Sequence, residues 1–319
     1  MNNYIKQWLE VIKNMNTDNT YKLAWSRAII ELCFETSQLD KQVTFTFQHI
    51  VKKMIKYYWN QTYFFHLDQS PNKKKIPVLV QNVNHLIELY ESIQHTHTPV
   101  WFDKAETVLK HEKQYCKIIS ESAKTLKNDF SWRFKLANNK EYNLYYLDKN
   151  CMFISLTKQQ VLLLKEYSFV LSQLINFKWT QLLEKFNHSP RIASKVKGIS
   201  DNTIKRSSLA KYKNILLKSN NYQAIDFYIG KVLKENDISV DHVIPWSFMY
   251  SDDIWNLVLT RKSNNSSKSN SIPSQTTIES LKERNSQLVN LISDSKYKDE
   301  LLLAIENDYV DKFYLAMKI

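Results

Sequence analysis

Glycine is nearly missing from these 319 residues: there are 2, alongside 6 prolines. Glycine-rich phosphate loops and dinucleotide fingerprints need several glycines within a few positions, so the chain leaves almost no room for either. So few helix breakers also favour a mainly helical fold. The 3 cysteines, Cys33, Cys116 and Cys151, lie far apart and are odd in number. They form no CxxC pair and no disulfide framework, which points to a reducing compartment. No apolar run reaches the length of a membrane span. The first residues, MNNYIKQWLEVIKNMN, carry polar side chains at every turn and no small-residue cleavage site, unlike a signal peptide. The expectation is a soluble, cytoplasmic protein with no membrane partner.

Aromatic residues, by contrast, make up 13% of the chain and hydrophobic residues 43%, enough for a well-packed core. The length allows one large domain or two ordinary ones. Lys and Arg outnumber Asp and Glu by 44 to 32, a net charge of +12. That excess favours a polyanionic partner, nucleic acid before an acidic membrane surface. A lysine-rich, AT-biased genome gives the same composition.

Helical spacing is clear in Ile5, Trp8, Leu9 and Ile12, then in Tyr21, Ala24, Trp25, Ala28, Ile29 and Leu32. It predicts a third helix from about Phe47 to Phe65, in which the aromatics of 57–65 serve core packing rather than base stacking. Pro77 suits the first turn of a further helix through Val80, Val83, Ile87 and Tyr90. His95 and His97 sit in a loop with no acidic or sulfur partner in sequence, a poor metal site. A single long helix is predicted over about Lys104 to Leu126. Between Asp129 and Leu156 the pattern turns to alternation, which predicts two or three short strands. Helices resume at Thr157, one of them through Phe169, Leu171, Leu174, Ile175 and Trp179.

From residue 191 to 218 the basic residues are Arg191, Lys195, Lys197, Lys205, Arg206, Lys211, Lys213 and Lys218, with Asp201 the single acid. Such a stretch either neutralises phosphates or forms a solvated helix face. Its position just before the segment discussed next favours phosphate contact. Arg191, Lys195, Lys197, Lys205, Arg206, Lys211 and Lys213 are therefore candidate DNA contacts, with Arg261 and Lys262 within that segment.

Residues 240–273 read VDHVIPWSFMYSDDIWNLVLTRKSNNSSKSNSIP, a pattern of strand, loop, strand and helix. Phosphodiester hydrolysis needs a base that is neutral near pH 7, which suits the His242 imidazole. It also needs charge neutralisation at the phosphate and the leaving oxygen, which a divalent cation supplies. A hard cation takes oxygen ligands such as the Asp241 carboxylate and the Asn265 amide oxygen. On a helix, Asn265 and Lys268 share one face, so Lys268 can reach a phosphate oxygen. Asn256 can pin the backbone near His242 through its amide.

The segment resembles the HNH, or ββα-metal, nuclease family, and in detail the HNH domain of RNA-guided CRISPR nucleases; the other residues resemble stand-alone bacterial HNH proteins of restriction or phage-defence type. The shared pattern is DH, xxPxSF, DxIxNxVLT and NxxKSxxxPS over about 35 residues. The resemblance implies Asp241 and Asn265 as metal ligands, His242 as general base and Asn256 in the place of the family's middle asparagine. It implies one divalent ion, Mg²⁺ foremost, with Mn²⁺ or another divalent ion as substitutes. Many HNH nucleases add a structural zinc held by two CxxC pairs. The corresponding positions here are Asp226, Ile229, Arg261 and Asn264, with no cysteine among them. A cage needs its ligand set complete, so the expectation is a zinc-free version supported by Phe227, Tyr228, Trp246 and Trp255.

The resulting expectation is a mainly α protein with a small β element: a helical N-terminal body and a C-terminal ββα-metal module. Its parts are a helical domain over 1–190, a basic segment over 191–220, the nuclease module over 221–275, and helices packing back on it over 276–319. The last are predicted around Ile278 to Ile292 and Tyr297 to Met317. The function expected is metal-dependent cutting of DNA in restriction or anti-phage defence, with a homodimer or an operon-encoded protein as candidate partners. Two alternatives stay open: a non-catalytic DNA-binding or assembly subunit of HNH shape, and an HNH nuclease acting on RNA.

Overall fold

Apolar residues recurring at three and four positions build most of the chain into helices. The computed structural model describes residues 2–37, 40–72, 74–129, 131–197, 207–263 and 271–318. It divides into two compact units, Met1–Asn187 with Ile192–Asn202 and His188–Arg191 with Thr203–Ile319. No helix among the described residues is long and apolar enough to cross a membrane.

The first unit contains helices α1 (Asn3–Asn14), α2 (Tyr21–Glu35), α3 (Phe47–Phe65), α4 (Val78–Gln94), α5 (Phe102–Leu109), α6 (Lys113–Asp129), α7 (Lys158–Glu166), α8 (Ser168–Phe186) and α9 (Ile192–Lys197). Helix α3 begins where Thr46 accepts a hydrogen bond from the His49 amide and ends where His66 turns left-handed. Its aromatics face inward: Tyr57, Tyr58, Trp59, Tyr63 and Phe65 are buried, and the first two meet Trp179 of α8 edge-on. They are core, as their spacing predicts. The Lys104–Leu126 stretch, expected as one helix, is two. The chain turns at residues 110–112, so that α5 buries Phe102, Ala105 and Leu109 and α6 starts on a new axis.

Strands β1 (Gln42–Thr46), β2 (Leu136–Ala137), β3 (Lys140–Glu141), β4 (Tyr146–Asp148) and β5 (Phe153–Thr157) belong to the same unit. β1, β5 and β4 form an antiparallel sheet in that order, with Val43 opposite Leu156 and Tyr146 opposite Ser155. β2 and β3 form a hairpin whose turn residues, Asn138 and Asn139, both have positive φ. Trp132 and Phe134, read as part of the alternation, instead lie at a short 3₁₀ turn over Arg133–Lys135.

The second unit is built on a hairpin. β6 (Ile238–His242) pairs antiparallel with β7 (Leu257–Arg261), placing Asp241 opposite Val258 and His242 opposite Leu257. Helix α10 (Ala210–Ser219) precedes it, and the connection between the strands carries the short helix α11 (Trp246–Met249). After it come α12 (Gln275–Leu291), α13 (Ser295–Glu306) and α14 (Tyr309–Lys318). The last two replace the single helix expected from Tyr297, because Asp308 takes a left-handed φ of 50° and breaks it. All three share one core with the hairpin: Ile278, Leu281, Leu301 and Tyr314 pack with Val240, Ile254, Trp255 and Leu257. Trp255 stacks on Phe313 at 5.8 Å.

Candidate active site

Asp241 and His242 are consecutive residues at the C-terminal end of β6, and β pairing continues through both. Asp241 is 7% exposed, and its Oδ2 accepts a hydrogen bond from the Tyr228 hydroxyl at 2.6 Å. Burial, and after it the Asp241 carboxylate, raise the Tyr228 pKa, so the phenol stays protonated and donates. His242 takes a different partner: its Nε2 lies 3.0 Å from Asp252 Oδ1. The Tyr212 hydroxyl of α10 donates to the Asp252 carbonyl and fixes that carboxylate's backbone.

Asn256 lies at the far end of the connection and is fully buried. Its Nδ2 donates to the Ile244 carbonyl at 2.8 Å and its Oδ1 accepts from the Ile244 amide at 2.7 Å. The Val243 amide also donates to the Asn256 carbonyl at 2.9 Å. The residues directly after His242 are thereby locked to the start of β7. From the other side, Arg284 and Asn285 of α12 donate to the Trp255 carbonyl at 3.1 and 2.9 Å, and Glu300 of α13 accepts from the Ile254 amide at 2.6 Å. The C-terminal helices therefore brace the turn that carries Asn256.

A second carboxylate organises the entry to this hairpin. Asp226 is fully buried. Its Oδ1 accepts from the amides of Tyr228 and Ile229 at 2.9 and 3.2 Å. Its Oδ2 accepts from Thr260 Oγ1 and the Arg261 amide at 3.2 and 3.1 Å, with Arg261 Nε at 3.6 Å. The turn closes when the Gly230 amide donates to the Asp226 carbonyl at 2.8 Å, and Gly230 has φ +66°, where a side chain would be strained. Three of the four positions set out for zinc-binding cysteines, Asp226, Ile229 and Arg261, are thus tied together by one carboxylate. The fourth, Asn264, lies outside the described residues.

Residues 226–274 match the HNH endonuclease family. Residues 3–200 match a domain of unknown function, DUF8808, over more than half of the chain. The chain belongs to the DUF8808 family. Its DUF8808 region coincides with most of the first unit, and its HNH domain with the Asp226 turn and the hairpin, ending just before α12. The HNH domain begins on Asp226, so the match encloses Asp226, Tyr228, Asp241, His242, Asp252 and Asn256.

Among the described residues, no group of three or more His, Cys, Asp or Glu side chains converges as a cation cage. Asp241 supplies one buried oxygen donor. The second expected ligand, Asn265, and the expected phosphate contact, Lys268, lie outside the described residues, as do Lys205 and Arg206. The basic residues of the DUF8808 protein separate by environment. Lys211 is exposed on α10 and Lys262 is exposed just after β7. Arg191 pairs with Asp253 at 3.4 Å, Lys213 donates to the Ile238 carbonyl at 3.4 Å, and Arg261 lies against Asp226. Lys197 ends α9. Lys195 is a correction: it is 0% exposed, with its ammonium 5.6 Å from the Phe65 ring centroid, inside the first unit. It is a buried lysine with a cation–π contact.

Sequence reasoning missed Asp252 as a partner of His242 and Tyr228 as a partner of Asp241. The Ser251-Asp252-Asp253 cluster reads as loop material and Tyr228 as packing. Both partnerships depend on how the strand ends meet the turns, which spacing does not reveal.

Proposed function

We propose that this protein is a metal-dependent endonuclease that hydrolyses DNA phosphodiester bonds at the end of strand β6. The reading rests most on one observation: an HNH endonuclease match that encloses an Asp241-His242 pair whose imidazole is held by a carboxylate. In this account His242 donates Nε2–H to Asp252, which places the ring's lone pair on Nδ1. That nitrogen removes a proton from water as the water oxygen attacks phosphorus. The bond from phosphorus to the 3′ oxygen breaks, and that oxygen takes a proton from solvent, leaving 5′ phosphate and 3′ hydroxyl ends.

The oxygen-donor chemistry of Asp241 fits a hard divalent cation, Mg²⁺ foremost with Mn²⁺ as a substitute, and by resemblance Asn265 is the second ligand. Bound there, such an ion supplies charge neutralisation to the phosphate and the leaving oxygen. Lys268 by resemblance, and Lys211 and Lys262 by exposure and charge, contact the nucleic-acid backbone. The setting we propose is restriction or anti-phage defence, on the strength of the resemblance to stand-alone HNH proteins of that kind.

Incubating the full chain with supercoiled plasmid and with matched single- and double-stranded RNA, each with Mg²⁺ or Mn²⁺, tests the reading. Nicked or linear DNA that disappears with EDTA is the expected result. Preferential cleavage of the RNA would reassign the substrate, and binding without cleavage under either metal would reduce the protein to a DNA-binding subunit.

A further inference from the structure

We propose that Asp226 and Tyr228 form a positioning relay that holds the Asp241 carboxylate ready for a divalent cation; this rests on the metal-dependent reading above. The relay starts at a buried carboxylate with four hydrogen bonds. Two come from the turn that carries Tyr228, and two from the end of β7 at Thr260 and Arg261. One charged group thus clamps the 226–230 turn to the strand opposite Asp241. The Phe227 amide adds a bond to the Leu259 carbonyl at 2.9 Å. Because the turn is fixed at Tyr228 N, the phenol ring extends from a rigid base, and its hydroxyl reaches Asp241 Oδ2 at 2.6 Å.

A carboxylate has two oxygens on one rotating group. Fixing Oδ2 by a short hydrogen bond from the Tyr228 hydroxyl fixes the direction of Oδ1 as well. Partners of this kind orient metal ligands, and their loss typically costs 10- to 100-fold in metal affinity or activity. The same clamp also holds the end of β7 at Arg261. Tyr228 touches neither substrate nor reacting atoms; its action runs through Asp241.

Tyr228→Phe isolates the relay, because it removes one oxygen and keeps the ring that packs on Phe227 at 5.1 Å. Binding of Mn²⁺ alone to the full-length protein is measured by electron paramagnetic resonance of the free ion, together with cleavage across a Mn²⁺ titration. The expected result is Mn²⁺ affinity about 10- to 100-fold weaker, with cleavage at saturating Mn²⁺ close to wild type and an unchanged melting temperature. Asp226→Asn should weaken Mn²⁺ binding too, while also lowering the melting temperature. Wild-type Mn²⁺ affinity in Tyr228→Phe would overturn the relay and leave the nuclease reading standing. A wild-type protein that cuts DNA but binds no Mn²⁺ would overturn the metal reading and the relay together. Asp226→Asn with lowered stability and normal Mn²⁺ affinity would remove Asp226 from the relay.

Discussion

His242 and Asp252 form a pair in which the carboxylate orients the imidazole, the arrangement that lets a histidine take a proton from a defined direction. Removing the carboxylate leaves the ring in place but free to turn and to adopt the other tautomer. Asp252→Ala is expected to lower kcat for DNA cleavage by about 10- to 100-fold. KM for DNA should stay nearly unchanged, because Asp252 meets the imidazole and not the substrate. Partial recovery in Asp252→Glu would support orientation. A change confined to KM would place Asp252 in DNA binding instead. Asp241 and His242 were legible in the sequence because they are adjacent within a long, specific motif. Asp252 and Tyr228 were not, since their roles arise from hydrogen bonds between residues 10 and 13 positions apart that meet only once the chain has folded.

At the scale of elements, the hairpin is held by polar contacts at both ends, the Asp226 carboxylate at one and the Asn256 amide at the other. Asn256→Ala leaves the buried amide and carbonyl of Ile244 without side-chain partners, at a cost of about 1–3 kcal/mol for each group. Denaturant unfolding should therefore show a clear loss of stability. A variant as stable as wild type would show that water replaces the amide. Helix periodicity predicted α3 with its limits, since capping and burial agree there. It merged α5 with α6 and α13 with α14, because a tight turn with no glycine or proline leaves little trace in the pattern. β1 went unassigned: its five residues are stabilised by pairing with β5, more than 100 positions away. Asp226 was singled out as a lost zinc ligand, yet its carboxylate makes the cross-links that join the turn to β7.

Across the whole molecule, the charge of +12 is shared unevenly between solvent and interior. Composition counts every lysine alike, but a lysine contributes to nucleic-acid binding only if its ammonium meets a phosphate and releases counterions. Lys211 is exposed and Lys195 is buried against Phe65. Lys211→Ala should reduce the slope of log affinity against log salt by about 1, measured by fluorescence anisotropy on duplex DNA. Lys195→Ala should leave that slope unchanged and lower the melting temperature. The reverse pattern would contradict the division drawn from burial.

The central claim is that the imidazole at the end of β6 performs the chemistry, and His242→Ala tests it most directly. Purified wild type and variant are compared for plasmid cleavage with Mg²⁺ or Mn²⁺, with DNA affinity and melting temperature measured in parallel. The account predicts cleavage lost while affinity and stability remain near wild type. Undiminished metal-dependent cutting by the folded variant would contradict it.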